Sequence, residues 1–400
     1  MAEPSLAIFD DGGGHWGPLI DTRAIFDLRT GAATTIERIE RCLGQPAAAL
    51  YVPRSREALV REQHDGCAVN HAASPGPWRL VSGRWPGHGE AERVAALAPG
   101  QALVQADGQL VAACVDADRV ADVLDTAGRG LELQRVDAPL LIERPWHVLD
   151  RLEALLIGDL AATDVPRLDP ARFPIVSVHG EHPVHIHPSV EIVGPIAIDV
   201  RAGRVVIDRD ALVHPFAALQ GPCYVGPGSE LGAHATLRRL TALGPRCRVA
   251  GELAVTIIQG HTNKAHSGYL GSAIVGSWCN LGAGTEVSNL KNTLGEVRVQ
   301  LDPDMAAEPT GRTRQGPILG DYVRTAIGTR LMTGSVVGTG CMIAVSSYAP
   351  KLAPHFGFYT DAGRAEHDLD AFFVTAERMR KRPLTDAERA ALQRLHGKTA

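Results

Sequence analysis

Residues 207–255 read IDRDAL VHPFAA LQGPCY VGPGSE LGAHAT LRRLTA LGPRCR VAGELA V when broken every six residues. Each block opens on an aliphatic side chain: Ile207, Val213, Leu219, Val225, Leu231, Leu237, Leu243, Val249 and Val255. Four positions later stands a mostly small residue, Ala211, Ala217, Cys223, Ser229, Ala235, Thr241 or Cys247, with Leu253 as the exception. A six-residue period fits neither an α-helix of about 3.6 residues per turn nor a long two-residue strand alternation. It fits a coil of three short strands, in which one aliphatic side chain per block enters a shared core and a small residue sits near the corner.

That pattern predicts a left-handed parallel β-helix. Ile186, Ile192 and Ile198 extend it backward, with Arg201-Ala202-Gly203 resetting the phase. Val275, Leu281 and Val287 resume it, and Leu319, Thr325, Leu331, Val337 and Ile343 follow. Two interruptions, about 256–273 and 293–317, are rich in Gly, Pro and polar residues and are expected to loop out of the coil. Loops on a rigid scaffold are where binding groups concentrate.

Four hundred residues accommodate more than one domain. An α/β region is expected over 1–145, a helical connection over 146–183, the coil over 184–355 and a helical tail over 356–400. Leu6–Phe9 and Ala47–Val52 are strand-like and Thr35–Leu43 has helical spacing. Ala102–Val104 and Leu110–Val115 pair around Asp107-Gly108, a hairpin turn signal. Asp368–Arg382 and Ala387–His396 read as helices, the second opened by a Thr385/Glu388 capping box. The formal charge of −5 argues against general binding to nucleic acid or anionic membranes. No stretch reads as a transmembrane span or a signal peptide. The seven cysteines form no CxxC pair, so reduced thiols and a cytoplasmic location are expected. The cluster His179, His182, His185 and His187, interleaved with Pro183 and Pro188, reads as an exposed linker into the first coil.

Chemistry concentrates after residue 262. Asn263-Lys264-Ala265-His266-Ser267-Gly268-Tyr269-Leu270-Gly271 leads into Asn280-Leu281-Gly282-Ala283-Gly284-Thr285 and then Ser288-Asn289-Leu290-Lys291-Asn292. A histidine at a corner accepts a proton at neutral pH, and amides beside a Gly-rich turn hold a developing oxyanion, a combination suited to acyl transfer. The same residues serve equally as a corner histidine and an asparagine ladder that tie down backbone.

Residues 264–289 resemble the acetyltransferase half of the bifunctional N-acetylglucosamine-1-phosphate uridylyltransferase/glucosamine-1-phosphate acetyltransferase family. Counting from His266, the positions Tyr269, Asn280, Ala283 and Asn289 match its pattern without a gap. The resemblance implies His266 as general base, Tyr269 and Asn289 as sugar contacts, and Asn280 near both sugar and thioester. It places Ala283, Thr329 and Ala344 along acetyl-CoA. From the hexad run itself, a thin coil with flat faces suits symmetric association, and a homotrimer is expected. Lys264 stands one position from the family lysine, with Arg238, Arg239, Arg246 and Arg248 as alternative phosphate partners. Leu290 and Lys291 replace an aromatic and an acid of the family, which leaves the acceptor sugar open.

The opening Ile8-Phe9-Asp10-Asp11, Pro18–Arg23 and Asp27–Gly31 is similar to a short alternate bacterial form of that family, a sugar nucleotidyltransferase fused to a hexapeptide-repeat acyltransferase. It implies a sugar 1-phosphate and a nucleoside triphosphate with Mg²⁺ as ligands, met by Asp11, Gly12, Arg23 and Arg29. The usual Gly-rich phosphate loop of the family is absent. Asp107 is a candidate Mg²⁺ carboxylate, although its Asp-Gly context favours a turn. Two other classes remain open: a trimeric γ-carbonic-anhydrase-like zinc enzyme using His261 and His266 with His214 or His234, and a non-catalytic sugar-nucleotide-binding protein.

Overall fold

The inward hexads line one continuous core in the computed structural model, which describes residues 3–397. Three long parallel sheets form the sides of a left-handed β-helix. On one side Ile186, Ile207, Val225, Leu243, Ile258, Val275, Leu319 and Val337 stand rung upon rung. On the next, Val213, Leu231 and Val249 stack, then Lys264, Leu281, Thr325 and Ile343. The third stacks Ile198, Leu219, Leu237, Leu253 and Leu270. The small residues at the fourth offset, from Ala211 to Cys247, are all buried, as tight corners require.

The structure corrects the hexad reading in two places. Leu253, the exception among the small residues, is the inward side chain of its rung, while Val255 is half-buried at φ 51°. The coil is two residues shorter here, so the side that receives Leu237 next receives Leu253. Residues 256–273 do not loop out either. Thr256–Gly260, Asn263–Lys264 and Tyr269–Gly271 are strands of an ordinary rung, paired to the rung below on all three sides. Ile258, Lys264 and Leu270 keep the six-residue step there, so a lysine occupies a place that elsewhere is mostly aliphatic. Only the second interruption leaves the coil. It forms a small antiparallel hairpin, Arg298–Val299 with Glu308–Pro309, while Ile274 below pairs directly with Ile318 above.

The coil begins before residue 184. Val176–His179 is already paired with Ile196–Asp199, and His185 is buried on the strand Val184–Ile186, its Nδ1 2.7 Å from the Val165 carbonyl. His179 and His182 are exposed as expected, but the segment belongs to the first rung rather than to a linker, and His185 is buried in it.

The chain divides into two compact units. The first, residues up to 15, 22–28 and 33–144, is α/β. Its strands β1 (Ser5–Phe9), β2 (Ala47–Tyr51), β3 (Ala68–Val69), β4 (Pro77–Ser82), β5 (Gln101–Gln105), β6 (Leu110–Asp116) and β7 (Glu132–Val136) lie in the order 3-2-1-4-6-5-7. β6 runs antiparallel to both neighbours and the remaining pairings are parallel. Helix α1 (Thr35–Leu43) starts at a Thr34/Glu37 capping box and ends at Gly44, whose φ of 69° suits a residue without Cβ. The helices α2 (Glu57–Gln63), α3 (Ala91–Ala96) and α4 (Val120–Thr126) are short. The second unit holds residues 16–21 and 29–32, helix α5 (Pro145–Ala161), the β-helix, and helices α6 (Leu369–Arg380) and α7 (Asp386–His396). α7 carries the expected capping box. Among the described residues no helix is long and apolar enough to cross a membrane.

Candidate functional sites

His266 sits exposed on the corner that follows the inward Lys264. Corner stands on corner at this edge: Gly284 donates to the Ser267 carbonyl (3.1 Å) and Gly328 to the Ala283 carbonyl (2.7 Å). A Cβ at Gly251 would lie 2.6 Å from the Gly268 carbonyl oxygen, and one at Gly268 would lie 2.2 Å from that of Thr285. Glycine at both positions lets neighbouring rungs approach closely and fixes the height of the histidine corner.

On the strand after this corner, the Tyr269 hydroxyl accepts from Asn289 Nδ2 at 3.2 Å. The same amide nitrogen donates to Ser272 Oγ at 3.1 Å, and Asn289 is almost fully buried. Glu286 accepts from the Tyr269 backbone N–H at 2.9 Å. Burial raises the Tyr269 phenol above its ordinary value, with Asn289 opposing through its hydrogen bond. Glu286 and Ser272 escaped the sequence reading; the only local signal was their place beside Thr285 and Gly271.

Lys264 is turned inward and 1% exposed. Its Nζ donates to the carbonyls of His266 (3.0 Å) and Ala250 (3.2 Å), so its ammonium holds the backbone of the histidine corner. Burial pulls its pKa from 10.5 to about 8, against the opposing charge of Glu286. Between those two values the unfolded chain binds the proton that the folded one has released, so stability rises with pH across that window. Below pH 8 the full cost of the buried charge is present. Lys264→Met removes the titration. Urea unfolding of both proteins from pH 7 to 10 should show the parent gaining stability relative to the variant above pH 8. A constant difference across that range refutes the coupling.

The other candidates separate. Asn280 lies exposed on the outer face of a sheet, in register between Asn263 and Arg324. Ala283 lies on the His266 edge and Ala344 on the same side higher up, one rung above Ala326. The Thr329 side chain is buried, its hydroxyl donating to the Ala326 carbonyl at 2.9 Å. His261 lies flat on Trp278, ring centroids 4.1 Å apart, five residues before His266 and at the opposite end of the Asn263–Lys264 strand. His214 meets Glu230 (3.3 Å) and His234 stacks on Phe216. Among the described residues no three His, Cys, Asp or Glu side chains are placed to share a metal.

In the first unit the loop after β1 is pinned by charge. Asp10 accepts from the Gly12 N–H (2.9 Å), the Ile25 N–H (3.2 Å) and Arg56 (2.6 Å). Asp11 accepts from the Gly13 N–H (2.9 Å) and takes the buried Arg84 through two nitrogens, at 3.0 and 2.5 Å. A Cβ at Gly13 would lie 2.8 Å from Arg84 Nη2. Arg84 also reaches Gln109 (2.7 Å), and Gln109 donates to Glu143 (2.5 Å) and Asp107 (2.6 Å). Asp107 therefore joins the loop's network from the β5–β6 turn. Burial pushes its carboxyl up, but hydrogen bonds from Gln109 and Gln105 and the Arg84 charge outweigh this and hold it below its ordinary value. Arg84 and Gln109 escaped the sequence reading because they stand 73 and 98 positions from Asp11. Arg23 is buried in this unit. Arg29 falls in the second unit, its backbone N–H and carbonyl both held by Gln259 (2.7 and 3.0 Å) and its side chain turned to the Ala32 carbonyl.

Residues 6–165 match the family described as sugar nucleotidyl transferase. The chain is 30% identical over 138 residues to the bifunctional sugar-1-phosphate nucleotidylyltransferase/acetyltransferase of Sulfurisphaera tokodaii, covering 34% of each chain. It is 31% identical over 146 residues to the bifunctional protein GlmU of Methanocaldococcus jannaschii, 36% of this chain and 35% of that one. The matched stretches thus span about a third of these relatives. A mutant of AntD, an N-acyltransferase from Bacillus cereus solved with dTDP and coenzyme A, aligns over 54% of this chain and 99% of its own. At 13% identity and a TM-score of 0.18, that likeness carries neither fold nor function.

Proposed function

We propose, from the sugar nucleotidyl transferase match and the two bifunctional relatives, that the protein makes a sugar nucleotide in two steps. The β-helix transfers acetyl from acetyl-CoA to the amine of a hexosamine 1-phosphate, and the first unit transfers a nucleotidyl group to the sugar phosphate. The observation that carries the reading is the edge of the coil, where exposed His266 precedes the hydrogen-bonded pair Tyr269–Asn289 and shares its column with Ala283. There the amine attacks the thioester carbonyl, His266 takes the amine proton, and the C–S bond breaks to release coenzyme A as the thiol. Tyr269 and Asn289 orient the sugar. Ala283 and Ala344 leave room for the coenzyme along the column, and Asn280 meets the ligand on the adjoining face. The inward side chains leave Lys264 and Thr329 the role of shaping backbone.

Asp11, Gly12 and Arg23 form the nucleotide end in this reading, with Arg29 supporting the turn that follows. Asp10, Asp11 and Asp107 are engaged by Arg56, Arg84 and Gln109, so these carboxylates do not make a ready Mg²⁺ site. Mg²⁺ belongs with the triphosphate as it arrives. A homotrimer working in the cytoplasm completes the proposal, since flat coil faces suit symmetric association.

The test incubates the purified protein with sugar 1-phosphates, acetyl-CoA, and nucleoside triphosphates with Mg²⁺, and follows free thiol and pyrophosphate separately. Thiol release that requires an amino sugar supports the β-helix assignment, and pyrophosphate release supports the first unit. Absence of both leaves a sugar-nucleotide-binding protein. Activity that tracks bound zinc and disappears with a chelator favours the metalloenzyme instead.

A further inference from the structure

A groove of about 690 Å³ runs along the outer face of the sheet that carries Asn263 and Asn280. Five cationic side chains line it, Arg246, Arg248, Arg324, Arg380 and Lys381, against two carboxylates, Asp210 and Glu230. The whole chain carries a formal charge of −5, so this excess is local. Two of the cations are matched: Arg248 by Glu230 (3.2 Å), and Arg380 by Glu388 (2.5 Å) with the Tyr322 hydroxyl (2.7 Å). Arg246, Arg324 and Lys381 have no side-chain partner among the described residues.

The groove is also held in shape. Arg246, His261 and Trp278 occupy successive corners in the left-handed conformation, at φ 54°, 52° and 61°. The His261 ring is stacked on Trp278, and the Arg380 guanidinium lies 5.3 Å from the same indole. With His261 and Arg380 against it, Trp278 serves as a wall. On the floor, Asn263, Asn280 and Arg324 follow one another in register, placing two amides beside a half-buried guanidinium. Burial, then Arg246 and Arg380, pull the His261 imidazole down to about 4, as expected where the field is positive.

A concave, low-dielectric surface lined with one sign of charge concentrates ligands of the other sign. Guanidinium forks and amide N–H groups match phosphate oxygens. We propose that this groove binds the phosphate or diphosphate group of a ligand, with Arg246, Arg324 and Lys381 as direct partners and Asn263 and Asn280 as donors. The inference shares Asn280 with the acetyl-transfer reading but does not rest on it, because it concerns binding alone.

Calorimetric titration of the full-length protein with inorganic pyrophosphate at low salt tests it. Saturable binding is expected, weakening as salt rises. Arg324→Ala and Arg246→Ala should each weaken it about tenfold or more, the scale of a lost charge-assisted hydrogen bond. Arg324→Gln, closer in size, should do the same and guards against a folding artefact. Arg201→Ala, at a residue outside the groove that pairs with Asp199, should leave binding unchanged. Titrations with hexosamine 1-phosphate, coenzyme A and a nucleoside triphosphate then identify the source, as the ligand whose affinity depends on Arg324. No saturable binding by the parent, or equal affinity in the Arg324 variants, overturns the proposal. So does sulfate binding as tightly as pyrophosphate, which marks an adventitious anion only. A change of oligomeric state in the Arg324 variants, with no pyrophosphate binding by the parent, makes the groove an interface with a second copy and also overturns it.

Discussion

His266→Ala should lower acetyl transfer by about 10²–10⁴-fold, the usual contribution of a positioned acid–base group. The loss belongs in turnover, because in the proposed reaction the imidazole acts on the amine proton while other groups hold the substrates. The corner itself should survive the substitution. Its backbone is fixed by Lys264 Nζ on the His266 carbonyl and by the close rungs at Gly251 and Gly268, none of which involves the imidazole. Circular dichroism, oligomeric state and coenzyme binding should therefore match the parent while thiol release falls. Asn289→Ala provides the contrast. It removes the donor to both Tyr269 and Ser272, so it should raise KM for the amino sugar more than it lowers turnover. Near-full thiol release by His266→Ala would remove this residue as the base.

The second large effect is expected at Arg84. Its guanidinium is buried and ties Asp11 to Gln109, and through Gln109 to Glu143 and Asp107. Arg84 is buried, but Asp11 is exposed and Gln109 and Glu143 are half-buried, so water can solvate the partners. The loss is that of hydrogen bonds to a charged group, about 1–3 kcal/mol. Arg84→Ala should lower the unfolding free energy of the first unit by roughly that amount. It should also free the loop at Gly12–Gly14 and abolish nucleotide binding by the first unit. Arg84→Lys keeps the charge but loses the fork on Asp11, so it should recover only part of the stability. Denaturant unfolding of the three proteins, with nucleotide titration beside it, checks both halves. An Arg84→Ala protein as stable as the parent would show that the network is ornamental.

The coil was readable from sequence because its register is local: each inward side chain follows the last by about six residues, and no distant partner is needed to place it. The reading slipped where local spacing changed for a reason that spacing does not encode. At Leu253 the rung is two residues shorter, so counting onward by six chose Val255. At Lys264 a cation stands among aliphatic rungs, so a regular Ile258–Lys264–Leu270 step looked like an interruption. Its burial depends on the carbonyls of Ala250 and His266, which composition cannot reveal. The ordering of His266, Tyr269 and Asn289 was visible, but the bond between the last two was not, nor was the inward turn of Thr329. In the first unit the hairpin at Asp107-Gly108 was legible as turn chemistry. The network beyond it joins β1, β4 and β6 through residues far apart in sequence, and only folding brings them together.

The hairpin excursion of residues 293–317 leaves the coil shortly after Asn289 and returns in time for Ile318 to pair with Ile274. The stacking of rungs is thus indifferent to what happens in between. Length and sequence can change at its exposed tip, residues 302–304, without shifting the phase of a single inward side chain above it, since the rungs on either side already touch. Its root is committed, where Gln315 donates its backbone N–H to the Asn289 carbonyl at 2.8 Å, and so are Val297 and Val299, which are fully buried. The architecture thereby separates two kinds of inheritance: the rungs can pass unchanged between descendants, while the exposed tip of the excursion is free to diversify near Asn289, the proposed sugar contact.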